Sequence, residues 1–449
     1  MEAILRQVLP AIKPTAQQSR EELAFSEKLI KRIRQVVPSG CGVVLAGSVA
    51  KGTFLKDKRD IDIFVVFDRT VPKNSFEQAI KRIMESAFPR MGYQVSYAEH
   101  PYVRFHLEGR RIDLVPAYRI SNAVERMSAV DRSVLHTKFV LGSLKNADGV
   151  LLLKAFLRAN SLYGAEIKVQ GFSGYLCELL IIEYGSFPKL MKAASKWKEP
   201  VFIDIKNYYK LKSAKAKLKK QKKSKTTKLE TEKTFEDILE RFGSHERPAF
   251  LVVIDPTDKD RNVAAAVSKE NFRRFAALCK LFLKKPSAEY FLKKPETFEQ
   301  KAARVSRGSK LFMLTMPRPD VVDDVLWGQL NRMSGQLEKH LEGFEPKTIL
   351  ADDGWNIVRL AIVLGTDRLP SEMTVKGPPL EMNEHVESFK KSHRKAKFLV
   401  KKKQIYAIVK RPAREAKAES AIMDFFRSFQ KTKSHLACAE ELIVLERVK

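Results

Sequence analysis

The run Gly47-Ser48-Val49-Ala50-Lys51-Gly52-Thr53, followed by Asp60-Ile61-Asp62-Ile63-Phe64, holds the residue types best suited to chemistry. In a strand, side chains alternate faces, so Asp60 and Asp62 point one way while Ile61 and Ile63 point into a core. Two carboxylates on one face repel each other, and a cation between them relieves the repulsion. Hard divalent ions such as Mg²⁺ take oxygen ligands. Asp113, within Arg111-Ile112-Asp113-Leu114-Val115-Pro116, can project from a strand in the same manner. If that strand lies beside residues 61–67, three aspartates converge. Three acids can hold two metal ions roughly 3.5–4 Å apart, the arrangement used for in-line phosphoryl transfer. Gly47-Ser48 supplies the phosphate side. Glycine lets the backbone turn sharply and approach closely, and backbone N–H groups with the Ser48 hydroxyl donate to phosphate oxygens. Lys51 adds a positive charge. A lone Asp-x-Asp is common, and its ordinary reading is a solvated pair on a sheet edge. Gly-Ser, a gap of eleven residues, Asp-x-Asp and a further strand Asp together are far more specific.

The elements that position these residues follow from hydrophobic periodicity. Residues 16–37 read as an amphipathic helix, 41–46 as a short buried strand before the Gly47-Ser48 turn, and 61–67 as a second strand. Residues 76–87 read as a helix, and 93–97, 102–107 and 112–118 as strands, which gives a mixed sheet with flanking helices up to about residue 145. From 149 to 191 the pattern is helical, interrupted by the glycine-bounded turn 171–175. Residues 210–228 hold ten lysines and no acid. This stretch cannot bury enough apolar surface to fold alone and reads as a basic insertion, either a solvated linker or a phosphate-contacting loop. A strand at 250–254 leads into Asp255-Pro256-Thr257-Asp258, and 271–282 reads as a helix. Beyond residue 286 come a strand (311–316), a long helix (321–341) and two strands (344–350, 355–364). That order suits a ferredoxin-like or RNA-recognition-like half. A basic segment (390–403), a strand (405–410) and a helix (418–429) follow. The expected fold class is α+β and multidomain: a palm with a mixed sheet (1–145), a helical central domain (146–285) and a C-terminal α+β RNA-binding region (286–449).

The 449 residues carry 83 basic and 53 acidic side chains, a formal net charge of +30. Such a surface attracts polyanions, because each neutralised phosphate releases counterions. Apolar runs are too short to span a bilayer, and the N-terminal residues show no signal-peptide core. Cys41, Cys177, Cys279 and Cys438 lack metal-ligand spacing; His435 and Cys438 are three apart but have no second pair. The expectation is a cytoplasmic protein with reduced thiols and no membrane partner.

The Gly-Ser to Asp-x-Asp pattern resembles the active-site signature of the polymerase-beta-like nucleotidyltransferases. Asp60–Phe64, Tyr97-Ala98-Glu99-His100-Pro101-Tyr102, Ala129-Val130-Asp131-Arg132, Gly164-Ala165-Glu166, residues 171–180, and Asp255-Pro256 with Arg261-Asn262-Val263-Ala264 resemble, in the same order, the archaeal-type CCA-adding enzymes. Pro317-Arg318-Pro319-Asp320 and the helix after it extend the likeness more loosely. The resemblance implies template-independent addition of C, C and A to the 3′ end of tRNA from CTP and ATP, with pyrophosphate released. It implies a two-metal Mg²⁺ site on Asp60, Asp62 and Asp113. Many relatives carry Glu at the position of Asp60. It also implies contacts from Ser48, Lys51, His136, Lys154 and Tyr163 to the triphosphate. Lys51 replaces an Arg seen in some relatives, so a bidentate contact becomes a point charge. Arg261, with the RNA backbone, would read the base edges. The basic central and C-terminal regions would hold the acceptor and T arms by shape and backbone charge, and the family suggests a homodimer. Taken one at a time, these residues have plainer readings: Lys154 as a snorkelling lysine in an apolar helix, Tyr163 as a packing ring, His136 as a surface or satisfied histidine, Arg261 as a surface charge. The rivals are a poly(A) polymerase-like transferase, which would add only AMP, and a non-catalytic RNA-binding protein on the same fold.

Overall fold

The computed structural model describes residues 1–97, 101–209, 235–243, 249–294, 296–412, 416–439 and 443–448. Ala98, Glu99 and His100 of the Tyr97–Tyr102 motif, and the lysine-rich stretch 210–228, lie outside them. The chain divides into two compact units, Met1–Pro295 and Glu296–Lys449.

The first unit begins with helices α1 (Glu2–Ile12) and α2 (Ala16–Arg34). Then come β1 (Gly42–Ala46), the single turn α3 (Gly47–Ala50), β2 (Asp60–Phe67), α4 (Phe76–Ala87), β3 (Tyr93–Tyr97), β4 (Pro101–Leu107) and β5 (Arg110–Tyr118). The five strands form one sheet in the order β1-β2-β5-β4-β3. Only β2 and β5 run parallel, as a helical crossover through α4 demands. Phe76, Ile80, Ile83, Met84 and Ala87 recur along one face of α4 and are buried. They pack with Leu29, Ile30 and Ile33 of α2 against Ile61, Ile63, Ile112 and Leu114. This leaves the opposite sheet face free for polar residues. Lower on that face, Phe64, Val66 and Ala117 form a small cluster that takes Val134, on α5 (Arg132–Ser143).

A second core lies among α6 (Asp148–Ala159), α7 (Gly174–Tyr184), α8 (Phe187–Ala194), the strand β6 (Val201–Ile203) and its parallel neighbour β7 (Leu251–Asp255), and α10 (Lys269–Lys284). Helix α9 (Phe235–Arg241) precedes β7, the strand β8 (Asp258–Asn262) pairs with it, and the turn α11 (Glu289–Leu292) follows α10. Phe156 sits among Phe187, Phe275, Phe282, Tyr290 and Phe291 at ring separations of 5.6–6.5 Å. Tyr290 is stacked and the other four rings meet Phe156 edge to face, contacts that add to the burial of the rings themselves. Ser173 caps α7 by accepting from the Leu176 N–H. A Cβ on Gly171 would lie 2.2 Å from the Leu162 carbonyl oxygen, so the chain can cross there only as glycine.

The second unit contains α12 (Phe298–Val305), β9 (Lys310–Pro317), α13 (Asp323–His340), β10 (Pro346–Asp353), β11 (Ile357–Leu364), β12 (Glu372–Pro379), α14 (Asn383–Ser392), β13 (Lys397–Lys401), β14 (Gln404–Lys410), α15 (Ala418–Phe429) and β15 (Val444–Val448). The larger sheet runs β10-β11-β9-β15, with every neighbour antiparallel. The expected strand-helix-strand-strand half is thus completed by α15 and β15 into a whole ferredoxin-like βαββαβ unit. Between β11 and α15, a three-stranded sheet β12-β14-β13 with α14 is inserted. Helices α13 and α15 cover one face of the large sheet. On the other, α12 lays Phe298, Ala302 and Val305 over Leu311, Met313, Leu350, Ala361 and Val363. The two central strands carry aliphatic side chains on that outer face, not the stacking aromatics of an RNA-recognition module. The likeness to such modules is therefore one of topology and not of binding surface.

Candidate active site

Strand register brings the acids together. Across the parallel pair, Asp62 stands beside Asp113 and Asp60 beside Arg111. On the next strand Arg104 stands opposite Asp113, and Ala46 pairs with Asp62 on the other side. Alternation sends all five charged side chains to the face away from the core. At Gly47, φ is +69°, and a Cβ there would lie 1.8 Å from the Asp62 carboxylate oxygen Oδ2. The start of α3 therefore fits against Asp62 only as glycine. The expected turn at Gly47-Ser48 is in fact the first residues of this short helix.

The three aspartates have different partners. Asp113, 8% exposed, accepts from Arg104 Nε (2.7 Å) and Nη2 (2.8 Å), a bidentate fork. Asp113 in turn holds the Arg104 guanidinium pKa above its ordinary value. Asp60 accepts from Arg111 Nη2 at 2.7 Å, with Lys58 at 3.6 Å. Arg111 Nε is buried without a hydrogen-bond partner. Asp62 forms no ion pair among the described residues. Its carboxyl is pushed up to about 6 by burial, then by the charges of Asp113 and Asp60. Among the described residues, no three His, Cys, Asp or Glu side chains are gathered closely enough to hold a metal ion. The three acids share one face of two adjacent strands, as the sequence leads one to expect, with Asp113 paired to Arg104 and Asp60 to Arg111. The donor set still fits a hard divalent ion. It is all oxygen, and its central member, beside the charges of Asp113 and Asp60, resists ionisation without a counter-charge.

Beside the acids lies a cleft of about 280 Å³, at the small end of ligand sites. Asp60, Asp62, Gly47, Ser48, Lys51, Lys58, Arg111, Lys154, Arg158, Tyr163, Tyr175 and Glu178 line it. Lys154 is 3% exposed and does not snorkel. Its ammonium donates to the Thr53 carbonyl oxygen at 2.7 Å and lies 3.9 Å from Glu178 Oε1. Burial lowers its pKa, partly countered by Glu178. Glu178, fully buried on α7, also accepts from Lys51 Nζ and Thr53 Oγ1, each at 2.6 Å. One carboxylate thus joins the α3 segment to the helical core and gathers two lysines at the wall of the cleft. Tyr163 pairs through its backbone with Phe172, and Lys58 lies 6.0 Å from its ring centroid.

His136 and Arg261 meet around a different acid. Asp255, fully buried at the end of β7, accepts from His136 Nε2 and Arg261 Nη1, both at 2.9 Å, and from the Tyr175 hydroxyl at 3.0 Å. The Tyr175 ring stacks on His136 at 4.0 Å between centroids and itself lines the cleft, linking the two groups. Burial alone would raise the Asp255 carboxyl. Hydrogen bonding and charge from His136, the Thr257 N–H and Arg261 overcome it and hold the carboxyl well below the usual range. Burial pushes His136 down, with Asp255 pulling the other way.

The sequence reading passed over Arg104, Arg111, Tyr175, Glu178 and Asp255 as site residues. Glu178 did leave a signal, as a lone acid within the apolar run Leu176–Ile182. Arg104 left none, because only the register of β4 on β5 sets it opposite Asp113.

Three family models match the chain: "Nucleotidyltransferase domain" over residues 26–136, "tRNA nucleotidyltransferase, second domain" over 148–292, and "CCA-adding enzyme, C-terminal domain" over 307–435. The CCA-adding enzyme of Methanocaldococcus jannaschii is 33% identical over 440 residues, covering 95% of this chain and 90% of its own length. That of Methanosarcina mazei is 35% identical over 398 residues, covering 85% and 80%. A solved cytoplasmic RNA terminal U-transferase aligns with a TM-score of 0.46 at 13% identity, over 66% of this chain and 100% of that one.

Proposed function

The chain belongs to the family of CCA-adding enzymes, and from that premise we propose that it rebuilds the 3′ end of tRNA by adding C, C and A without a template. The 3′-hydroxyl attacks the α-phosphate of CTP twice and of ATP once, and pyrophosphate leaves each time. The observation that carries this reading is the meeting of Asp60, Asp62 and Asp113 on one sheet face beside a cleft walled by Ser48, Lys51, Lys154 and Tyr163.

Asp60, Asp62 and Asp113 are the residues that would hold divalent ions, with Mg²⁺ the expected one. Such ions, when bound, supply the charge that lowers the pKa of the 3′-hydroxyl and steadies the departing pyrophosphate. Lys51 and Lys154 stand ready for the triphosphate. Each exchanges part of its contact with Glu178 or the Thr53 carbonyl for phosphate oxygens. Ser48 and Tyr163 donate hydroxyl hydrogen bonds, His136 assists from α5, and Arg261 reads the base edge with donors not used by Asp255. Arg104 and Arg111 hold Asp113 and Asp60 through hydrogen bonds that these carboxylates would have to give up in part to hold ions.

The formal charge of +30 supports tRNA as partner, held by its acceptor and T arms through backbone charge. A homodimer and a cytoplasmic setting belong to the same proposal. The first rests on family likeness and is checked by sedimentation. The second rests on four free cysteines and on the finding that, among the described residues, no helix is long and apolar enough to cross a membrane.

The test is to sequence the 3′ ends formed on tRNA lacking its CCA end, with CTP and ATP together and each alone. CCA ends with both, and CC ends with CTP alone, support the reading. Long tails from ATP with none from CTP overturn it in favour of a poly(A) polymerase-like transferase.

A further inference from the structure

Asp255 touches two of the proposed nucleotide-binding residues, His136 and Arg261, yet unlike Glu178 it lines no part of the cleft. Its Oδ1 accepts from the Thr257 N–H (2.9 Å), the Thr257 hydroxyl (2.8 Å) and the Tyr175 hydroxyl (3.0 Å). Its Oδ2 accepts from Arg261 Nη1 and His136 Nε2. An ionised carboxylate offers about four lone-pair sites, so this one is saturated. The donors come from three separate segments: α5, α7 and the β7–β8 hairpin. His136 and Arg261 repel each other when both are charged, and the carboxylate between them removes that cost.

The same hairpin carries a second buried acid. Asp258 accepts from Arg132 Nη1 at 2.8 Å, with Arg126 at 3.3 Å. Arg132 and His136 are four apart on α5 and share a face. Two aspartates of one turn therefore grip one helix at two successive turns. That grip ties the strand bearing Arg261 to the helix that follows the palm sheet. Arg261 uses one guanidinium nitrogen on Asp255, and its side chain remains 32% exposed.

We propose that Asp255 is the positioning residue for base selection: it locks the guanidinium of Arg261 so that the free donors meet the incoming base at one angle. The proposal rests on the reading of Arg261 as the residue that reads the base. An untethered arginine has many rotamers and can follow a wrong base as easily as a right one. A donor array held in place leaves the wrong base with unpaired groups, which is the basis of discrimination by hydrogen bonds.

The experiment measures the ratio of kcat/KM for CTP over UTP on tRNA lacking its CCA end. The variants are Asp255→Asn, Asp255→Glu, Arg261→Ala and the double change Asp255→Asn/Arg261→Ala. Asp255→Glu keeps the charge and moves it by one methylene, which preserves a folded protein should the Asn variant fail to fold. Both Asp255 variants are expected to lower the ratio by about tenfold, Arg261→Ala by at least as much, and the double variant no further than Arg261→Ala alone. A ratio unchanged in the Asp255 variants, or losses that multiply in the double variant, overturns the proposal, since Asp255 would then act only through general stability. If Arg261→Ala itself leaves the ratio intact, the base-reading role of Arg261 fails, and the positioning role falls with it. If Arg261→Ala relaxes selection and Asp255→Asn or Asp255→Glu does not, the positioning role fails alone.

Discussion

Asp62 and Asp255 are the same residue type in opposite circumstances. Asp62 stands near two further carboxylates, forms no ion pair among the described residues, and is pushed up to about 6. Asp255 is more deeply buried, yet it is surrounded by donors and held far below the ordinary range. Burial disfavours charge in both places, so burial does not decide the outcome; the partners do. A carboxylate whose partners saturate it organises its neighbours. One left in repulsion has a remaining demand for positive charge, and that demand marks the place where a cation would act.

The contrast can be broken by substitution. The largest effect falls on catalysis: Asp62→Ala should lower nucleotide incorporation by about 10³-fold or more. Its affinity for tRNA, measured by filter binding, should stay within about twofold, because phosphate contacts elsewhere dominate that affinity. Undiminished incorporation would remove Asp62 from the chemistry.

Next come stabilities, where one change of residue type has two signs. Asp255→Asn removes the charge shared by Arg261 and His136 and sets an amide N–H against one or more of their donors, and should destabilise the fold by about 1–3 kcal/mol in denaturant titrations. Asp62→Asn should instead stabilise it at pH 7.5 without divalent ions, by about 1–3 kcal/mol. The sign follows from the direction of the shift. The folded pKa of Asp62 lies above the ordinary 3.8. Its charged form therefore costs stability above about pH 6, and the cost fades as pH falls toward 3.8, where both states bind the proton. The advantage of Asp62→Asn should shrink accordingly in melts at pH 4.5. Equal stabilisation at both pH values would show that the repulsion is not the cause. The smallest effect concerns Arg104. Arg104→Gln frees the Asp113 fork and should tighten Mn²⁺ binding, followed by electron paramagnetic resonance, by about threefold to tenfold.

Much of this arrangement was legible in the sequence. The alternation of Asp60, Ile61, Asp62 and Ile63 sets a polar and an apolar face, and the spacing of Phe76, Ile80, Ile83 and Met84 marks the helix that covers the apolar one. The ferredoxin-like half was visible because β9, α13, β10 and β11 follow one another in the chain. Its closure was not, because β15 pairs with a strand far upstream and an inserted sheet lies between them. Lys154 shows a second kind of illegibility. A lysine in an apolar helix snorkels by default, and only the three-dimensional approach of Glu178 and Thr53 permits full burial. The arginines on Asp60 and Asp113 are invisible for a related reason. Strand register sets them there, and register is a property of pairing rather than of either strand alone.

The placement of β15 has a consequence for synthesis. Until Val444–Val448 has been made, β9 offers one side of its backbone, with its N–H and C=O groups unpaired, to whatever passes. A nascent C-terminal unit therefore spends its assembly with an open sheet edge, and a premature stop shortly before Val444 would leave that edge permanently adhesive. Such truncated chains should be cleared as aggregates rather than survive as partly active enzymes.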